Sequence, residues 1–543
     1  MRARALLARI VLGAVLPALP SCSLLVDTNA DQCSVDADCA AKGGRFAGTR
    51  CVDRACVAAP AASGCTTNAD CAATSGGAPA ICKADKTCEK LTSQDCQDVS
   101  GDATAEGAIV YGFLGPLTGE FASQGVPVLD AVKLAFTEIG NNAGGIPSPN
   151  GGKPRSIALV ACHDQDDPIR AAQHLVDIGV PAVIGPQFSG DVIKVATMVT
   201  IPAGMLLLTP SATATSIATL PNRNDLVWRT CPSDAIQAQA LSDLVPEVEA
   251  NVRAAYKIAD ATKIKVAMTV KGDAYGTGLA DAVIAKLRFN GVSASDNQGY
   301  FVRKDYPDPP TPDTNDYGSI VNAVISPSPA PPSIVLLLGT TEAVTKILAG
   351  IEAAIASMNP APPKPFYVLS DGGEVPELVS MIGTSDDLRK RIVGTVPGHD
   401  NPTRQAFAQR FMGVYDTAPG LYADNGYDAA YLLVYATAAA GSSITGATLA
   451  AGMKKLVPPS STKIVAGPGD VNMAFGALGS GGTIDYDGAS GPLDFDVTKG
   501  EAPADIDVWC ISRMIGTGTP AFASSGQYWD ATKGALVGTP SCP

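Results

Sequence analysis

The sequence is poor in charged residues, and positive charge is the scarcer kind. Charged residues make up 17% of the 543 residues, and 39 lysines and arginines against 53 aspartates and glutamates give a formal net charge of −14. No long cluster of lysine and arginine occurs along the chain. Nucleic-acid binding needs a basic face that releases counterions from phosphates, so this class of function is excluded. A hydrophobic content of 46% instead indicates a soluble, core-forming protein with room for about three to four domains.

Catalytic and metal-binding motifs are also missing. The three histidines, His163, His174 and His399, show no His-Glu-x-x-His pattern, and no Gly-x-Ser-x-Gly elbow of a serine hydrolase occurs. The stretch "DQDDP" that begins at Asp164 lacks the glycine and the distal glutamate of an EF-hand loop, and it fits a turn before a helix better. The sequence therefore predicts a protein that is not an enzyme and has no cofactor and no metal site.

The glycine-rich stretch "GFLGPLTGEFASQG", residues 112–125, follows an apolar run and precedes a helical pattern, which is where many proteins hold phosphate. It lacks both the Gly-x-Gly-x-x-Gly fingerprint of dinucleotide-binding proteins and the Gly-Lys-Ser/Thr of a P-loop. Gly115, Gly119 and Gly125 are spaced four and six apart, so no tight run of backbone N–H groups faces one phosphate. The stretch therefore argues against nucleotide binding.

The N-terminal apolar stretch is too short and too interrupted to span a membrane. Arg2 and Arg4 precede it, and this layout predicts a secretory signal peptide over residues 1–21 rather than an ordinary helix. Its end, "LPSC", resembles the lipobox of bacterial lipoproteins, with Cys22 as the lipidated residue. Signal cleavage without a lipid is the alternative. We expect an extracytoplasmic protein that is anchored to a membrane by its N-terminal lipid, in the periplasm or at the cell surface.

Cysteine is concentrated near the N-terminus, where nine of the fourteen cysteines lie between Cys33 and Cys96. Two copies of a repeat, each containing "ADCAA", begin with a Cys-x5-Cys pair and end with a Cys-x4-Cys or Cys-x5-Cys pair. Small exported modules with little apolar content are held by disulfides, so we predict a disulfide-rich segment over residues 22–104. Two zinc sites are the alternative, although their usual spacing is shorter. The sequence leaves the pairing within the repeat open.

Cys96 and the four later cysteines leave an odd number after lipidation of Cys22 and pairing within the repeats. A bond between Cys510 and Cys542 would staple the C-terminal tail, and Cys162 and Cys231 both lie near predicted strand ends, where they could pair. We expect one free thiol among the cysteines.

From about residue 108 onward, short β-branched runs alternate with helical patterns, which predicts an α/β fold with parallel strands. Most of the strand candidates are continuous apolar runs, typical of strands covered by helices on both faces. Polar and turn-forming residues cluster where these strands end, and in open α/β sheets that edge carries the ligand crevice. The candidates are "AIVYGFLG", "SIALVACHD", "PAVIGP", "MLLLTP", "KIKVAMTV", "SIVLLLG", "PFYVLSD" and "RIVGTVPG".

Five stretches in order resemble one family. "GPLTGEFASQGVPVLDAVKLAFTEIGNNAGGI" is similar to the first strand, lip and helix of type I periplasmic binding proteins, the leucine/isoleucine/valine-binding family. The other four are "LVACHDQDDPIRAAQHLVDIGVPAVIGPQFSG", "LLLTPSATATSIATL" with "VWRTCPSDAIQAQAL", "GDAYGTGLADAV" and "YDGASGPLDFD". The resemblance runs from about Val110 to Ser512. It implies two doubly wound, Rossmann-like lobes that are joined by three crossings and close on a ligand.

The resemblance also implies the domain bounds. We place the crossings near Pro232–Asp234, Thr395–Gly398 and Thr483–Asp487. Lobe one then comprises residues 105–233 and 397–483, and lobe two comprises residues 234–396 and 484–543.

Ligand-binding residues carry over where the motifs align. Ser189, Ser211 and Thr213 fall where the family presents hydroxyl and N–H groups to a carboxylate, although each could also be an ordinary helix N-cap. Asp371 falls where an acidic side chain receives the ammonium of an amino acid, although Asp is also common at such a turn.

Aromatic and lip residues complete the implied site. Tyr275 falls where the family closes an aromatic lid, and Tyr422 aligns with an aromatic wall. We expect Leu117, Thr118 and Phe121, in the lip of the first lobe, to touch the ligand.

The implied ligand is an α-amino acid or a related small carboxylate. Thr340 stands where branched-chain binders have an aromatic residue, so the side chain of the ligand stays open. Two functions fit. The first is a lipid-anchored binding protein that delivers a small polar ligand to an ABC permease. The second is a receptor-like sensor or surface interaction protein, whose disulfide-rich segment contacts a partner.

Overall fold

The structure is a computed structural model that describes residues 31–42, 46, 49–58, 64–221, 223–310, 312–514 and 518–542. Contacts divide the chain into two units, Met1–Ala59 and Pro60–Pro543. Cys22, the predicted lipidation site, lies outside the described residues. In the described part of the chain, no helix combines the length and the apolar character that crossing a membrane requires.

The first unit contains the first copy of the cysteine repeat. The helix Asp36–Ala41 precedes an antiparallel hairpin of strands Thr49–Val52 and Ala55–Ala58. Asp36 at the helix start accepts a hydrogen bond from the Cys51 N–H at 2.6 Å. The pairs Cys33–Cys51 and Cys39–Cys56 form disulfides.

The second copy, in the second unit, has the same plan. The helix Asn68–Thr74 precedes the antiparallel strands Ala80–Cys82 and Cys88–Lys90, and the disulfides are Cys65–Cys82 and Cys71–Cys88. Asn68 takes the place of Asp36 and accepts from the Cys82 N–H at 2.8 Å. The disulfide-rich segment is therefore confirmed, and the zinc alternative is wrong because the thiols are consumed in pairs.

The first sheet of the second unit has six strands. All neighbours are parallel except the last strand, which pairs antiparallel and covers one edge. Successive residues of the central strand alternate between faces, so that Phe113 packs in one core cluster and Leu114 in another. In spatial order the strands are Val227–Arg229, Leu206–Thr209, Ala182–Ile184, Ile109–Gly115, Ile157–His163 and Asp98–Gly101.

The second sheet has eight strands. The first five strands are parallel to one another, and the last three strands add to them in antiparallel fashion. Leu336 and Leu337 pack in different clusters, so this sheet is also covered on both faces. In spatial order the strands are Phe301–Pro307, Lys265–Gly272, Pro332–Leu338, Phe366–Leu369, Ile392–Pro397, Ile506–Arg513, Pro520–Asp530 and Ala535–Gly538.

Helices cover both sheets, and local signals set their ends. Ser233 caps one long helix through its hydroxyl, and Gly144, in a left-handed conformation, ends another. The helices that pack on the first sheet are Ala122–Ala143, Pro168–Asp177, Ser189–Val195, Pro402–Tyr415, Ala423–Ala440, Gly446–Met453 and Val471–Gly479. Those on the second are Asp234–Tyr256, Ala274–Ile284, Tyr317–Val324, Ala343–Leu348, Ala349–Ala356, Pro376–Ile382 and Asp386–Arg389.

We call each sheet with its helices a lobe, and the predicted α/β fold with two doubly wound lobes is confirmed. The domain bounds stay a prediction. Residues 484–502 contribute Tyr486, Leu493 and Phe495 to the core cluster of the first lobe. This packing favours a third crossing after residue 502 instead of at Thr483–Asp487.

Two further disulfides secure the lobes. Cys96 pairs with Cys162, because the strand Asp98–Gly101 runs antiparallel beside Ile157–His163 and brings the two cysteines together. The suggested pairing of Cys162 with Cys231 is therefore wrong, and Cys231 is free and buried. The predicted tail bond between Cys510 and Cys542 is present.

Candidate functional site

A cavity with several polar side chains in its lining lies where strands of both sheets end. Residues that follow three strands of the second sheet and two of the first line it, as expected for open α/β sheets. The first lobe contributes Gln124, Gln187, Phe188, Ser189, Ser211, Leu421 and Tyr422. The second lobe contributes Asp273, Tyr275, Thr340, Asp371 and Gly372.

Two of the three predicted carboxylate-binding hydroxyls line this cavity. Ser189 is 3% exposed, and its hydroxyl accepts a hydrogen bond from the Ala214 N–H at 3.2 Å. Ser211 donates to the Gln187 carbonyl at 3.0 Å. Thr213 lies behind the wall, and its hydroxyl makes no hydrogen bond of normal geometry within the described chain. The three hydroxyls therefore occupy neighbouring strand ends, as predicted, and their role in binding stays a prediction.

Arg229 holds the loop that carries two of these hydroxyls. Its guanidinium is buried and donates to the carbonyls of Ala212, Thr213 and Ala214 at 2.8–3.3 Å. It also forms an ion pair with Glu501. Because the guanidinium is engaged on several sides, Arg229 shapes the loop and is not available as an anion ligand.

Asp371 is the centre of a hydrogen-bond network. It is 3% exposed and accepts from the hydroxyls of Tyr275 at 2.7 Å and Tyr422 at 2.6 Å. Tyr422 belongs to the first lobe, so this network crosses between the lobes. Its backbone is left-handed, with φ 61°, a strained conformation for a non-glycine residue that is common at functional sites. The three predicted residues are brought together at the cavity wall.

Asp234 is a buried acid next to the site, outside the cavity lining, that the sequence alone did not reveal. It lies at the first crossing, is fully buried, and neither carboxylate oxygen makes a hydrogen bond of normal geometry within the described chain. Burial raises its pKa well above the usual value, the nearby charge of Asp371 adds to this, and the Thr213 hydroxyl lowers it only in part. The only sequence signal was its position two residues after Pro232, in a first helical turn where acids are common.

The lip residues lie outside the cavity lining. The Leu117 N–H donates to His163 Nδ1 at 3.1 Å, and the Thr118 hydroxyl lies 3.2 Å from His163 Nε2. The ring of Phe121 packs edge-on against Phe188, which does line the cavity, at 5.5 Å between centroids. His163 thus fixes the lip, and direct ligand contact by these residues stays a prediction.

The far wall of the cavity carries a buried lysine–carboxylate cluster. Lys271 forms ion pairs with Asp273 at 2.9 Å and Asp308 at 3.0 Å. Burial alone would lower the pKa of Lys271, but the carboxylates of Asp273, Glu342 and Asp308 raise it above its usual value. Lys271 therefore stays charged and neutralises Asp273.

The sequence matches a known family. Residues 108–476, more than half of the chain, match periplasmic binding proteins. The Leu/Ile/Val-binding protein BraC3 of Rhizobium johnstonii is 31% identical over 210 residues, covering 38% of this chain and 51% of that protein. The chain thus spans about half the length of such Leu/Ile/Val-binding relatives. BasB of Halobacterium salinarum, a substrate-binding protein of a chemotactic signal transduction system, is 25% identical over 435 residues, covering 78% of this chain and 91% of that protein.

Solved structures share the fold. The branched-chain amino acid transporter substrate-binding protein LivJ of Streptococcus pneumoniae, solved in complex with isoleucine, superposes with a TM-score of 0.55 at 18% identity. The match covers 77% of this chain and 99% of that one. The matched family consists of extracytoplasmic solute-binding proteins and not of enzymes. The chain belongs to the periplasmic binding protein family, and its relatives include Leu/Ile/Val-binding proteins.

Proposed function

We propose that this protein captures a small amino acid between its two lobes and delivers it to an ABC-type importer. The observation that carries the proposal is the Asp234 carboxylate, which is buried without a hydrogen-bond partner in the described chain. A buried carboxylate that is left unpaired is costly, and the ammonium of an amino acid would satisfy it. Asp371, whose charge also raises the pKa of Asp234, would be the second carboxylate for that ammonium.

The carboxylate of the amino acid would bind to hydroxyl and N–H groups of the same site. The Ser189 hydroxyl lines the cavity and accepts from the Ala214 N–H, so its proton is left for a carboxylate, whereas the Ser211 hydroxyl donates its proton to the Gln187 carbonyl. The Thr213 hydroxyl behind them has no normal hydrogen bond in the described chain. Hydroxyl and backbone N–H groups can bind a carboxylate by hydrogen bonds in a site that has no arginine ligand. A zwitterion whose two charged groups are attached to one carbon would find the Ser189 hydroxyl for its carboxylate and the carboxylates of Asp234 and Asp371 for its ammonium.

Contacts between the lobes support closure around the ligand. Gln124 of the first lobe donates to the Thr341 hydroxyl of the second at 2.9 Å, and Ser123 donates to Glu377 at 3.4 Å. We propose that these contacts form when the lobes close and that ligand binding shifts the protein towards this state.

Import and anchoring complete the proposal. The relatives named for Leu/Ile/Val binding and transport favour import, whereas BasB is named for chemotaxis. We propose that a lipid on Cys22 keeps the protein at the membrane. Mass analysis of the N-terminal peptide tests the anchor: an unmodified Cys22, or unchanged membrane association of Cys22→Ser, would refute it. Uptake of a radiolabelled ligand should fall in cells that lack the protein.

Calorimetric titration of the purified protein with a panel of amino acids tests the binding function. We expect at least one to bind with 1:1 stoichiometry and to raise the melting temperature, because it binds the folded state alone. Asp234→Asn should weaken that binding roughly 10-fold or more, and Asp260→Asn at an exposed position is the matched control. If no amino acid or small carboxylate binds the folded protein, the proposal fails.

A further inference from the structure

The end of the cavity beyond the two charged groups of the ligand decides which side chain fits, and this inference rests on the proposed function. Four of the six residues that line this end are polar. We propose that the site selects a neutral amino acid whose short side chain carries a hydroxyl or a carboxamide, not the branched aliphatic chain of leucine, isoleucine or valine. The lining residues are Gln124, Gln187, Phe188, Asp273, Thr340 and Leu421.

Gln187 is the strongest reason for a polar ligand. Its side chain is 5% exposed, and its Nε2 is buried without a hydrogen-bond partner in the described chain. The amide is seated against Gly115, where an added Cβ would lie 2.8 Å from Nε2, so the absence of a side chain at Gly115 makes room for it. An amide offers a donor on one side and an acceptor on the other, so a hydroxyl or carboxamide can satisfy either orientation.

Thr340 adds a directed acceptor. It is 4% exposed, and its hydroxyl donates its proton to the fully buried Glu342, which also accepts from Tyr306 at 2.6 Å. With its proton used in this way, the Thr340 oxygen can only accept a further hydrogen bond. A ligand side chain with an O–H or N–H group could donate a hydrogen bond to this oxygen, and an aliphatic side chain could not.

The charges behind this wall disfavour an acidic side chain. Lys271 stands among the carboxylates of Asp273, Asp308 and Glu342, so the cluster is negative overall. An acidic ligand side chain would be repelled by it. The ammonium of Lys271 itself lies 5.5 Å from the centre of the Phe188 ring.

The Gln124 side chain limits the length of the ligand side chain. Gln124, which is 9% exposed, closes the space through its hydrogen bond to Thr341. A longer side chain would have to break this contact between the lobes.

Two pairs of ligands of nearly equal shape test the proposal: threonine against valine, and asparagine against leucine. By calorimetric titration we expect threonine and asparagine to bind roughly 10- to 100-fold more tightly than their aliphatic counterparts, because a site built for hydrogen bonds rejects ligands that cannot form them. If valine or leucine binds as tightly as its polar counterpart, this inference is overturned while the proposed function stands. Only the absence of binding by every amino acid would remove both.

Variants of the wall give an independent test. Gln187→Met keeps the length of the side chain without its amide and should shrink the threonine-to-valine affinity ratio at least roughly 5-fold. Thr340→Val should do the same for the other polar group, and it carries the test if Gln187→Met fails to fold. Ser380→Ala, on the exposed surface, should leave the ratio unchanged. An unchanged ratio in folded Gln187→Met and Thr340→Val would overturn the inference.

Discussion

The two sides of the cavity differ in how their buried polar groups are satisfied. On the second-lobe side, Asp371 receives two tyrosine hydroxyls and Asp273 is paired with Lys271. On the first-lobe side and at the first crossing, Gln187 Nε2 and both oxygens of Asp234 lack partners in the described chain. Unpaired buried groups cost stability, so their presence on one side indicates where the ligand completes the structure.

The largest expected effect is the loss of ligand affinity on removal of the Asp371 carboxylate, which accepts hydrogen bonds at the centre of the second-lobe side. Asp371→Ala deletes the carboxylate that two tyrosines hold in place and that we propose binds the ammonium of the ligand. A hydrogen bond to a charged group contributes about 1.5–3 kcal/mol, so we expect ligand affinity to fall roughly 10- to 100-fold. Calorimetric titration measures this, with Asp296→Ala at an exposed position as control. Unaltered affinity would show that the satisfied network is structural only.

Asp234→Asn tests how much the unpaired Asp234 carboxylate lowers the free energy of unfolding. Burial raises the pKa of Asp234, so the folded state binds more protons than the unfolded one and the free energy of unfolding falls as pH rises above about 4. The variant should therefore raise the ligand-free stability by about 1–3 kcal/mol at pH 8, with a gain that shrinks as pH is lowered towards 4. Urea unfolding at both pH values measures it. A loss of stability at pH 8 would show that the carboxylate has a stabilising partner.

Tyr275→Phe tests the second-lobe side, where we expect the free energy of unfolding to fall and not to rise. The variant removes the hydroxyl that donates to Asp371 and lies 2.8 Å from the Ser370 hydroxyl, and it leaves a buried carboxylate with one donor fewer. We expect a loss of about 1 kcal/mol in the free energy of unfolding. If this variant is as stable as the parent protein, the contrast between the two sides is wrong. Tyr300→Phe, outside the cavity, serves as control.

The smallest expected effect concerns the contact between the lobes. Gln124→Met removes the hydrogen bond to Thr341 and keeps the length of the side chain. We expect ligand affinity to fall roughly 3- to 5-fold, about 1 kcal/mol, while the unfolding of the ligand-free protein changes less. Titration together with thermal unfolding separates the two. An equal loss in both would mean that Gln124 supports the first lobe and not closure.

Much of the fold could be predicted because buried parallel strands have a strong pattern. All eight strand candidates are strands in the structure. The strand Asp98–Gly101 was missed, because four residues with a single β-branched side chain carry no periodic signal. Its position decides that Cys162 pairs with Cys96, which the sequence left open.

The site was predicted less completely for a different reason. Ser189 and Asp371 follow the ends of two strands within a few residues, so topology alone brings them to one edge. Gln187 and Asp234 depend on side-chain packing, because Gln187 rests on Gly115 and Asp234 has the same sequence context as any acid in a first helical turn. Leu117 and Thr118 form hydrogen bonds with His163. These contacts have no signature in the sequence, so the sequence alone could not show that His163 holds the lip.

The bond between Cys96 and Cys162 also determines how the protein responds to mechanical load. A pull on residues before Cys96 would enter the first sheet through a covalent link to the strand Ile157–His163, next to the central strand. The hydrogen bonds of the strand Asp98–Gly101 would be shielded from that force, because the link precedes them. A force on the N-terminus of a tethered protein would thus not separate the edge strand from the sheet.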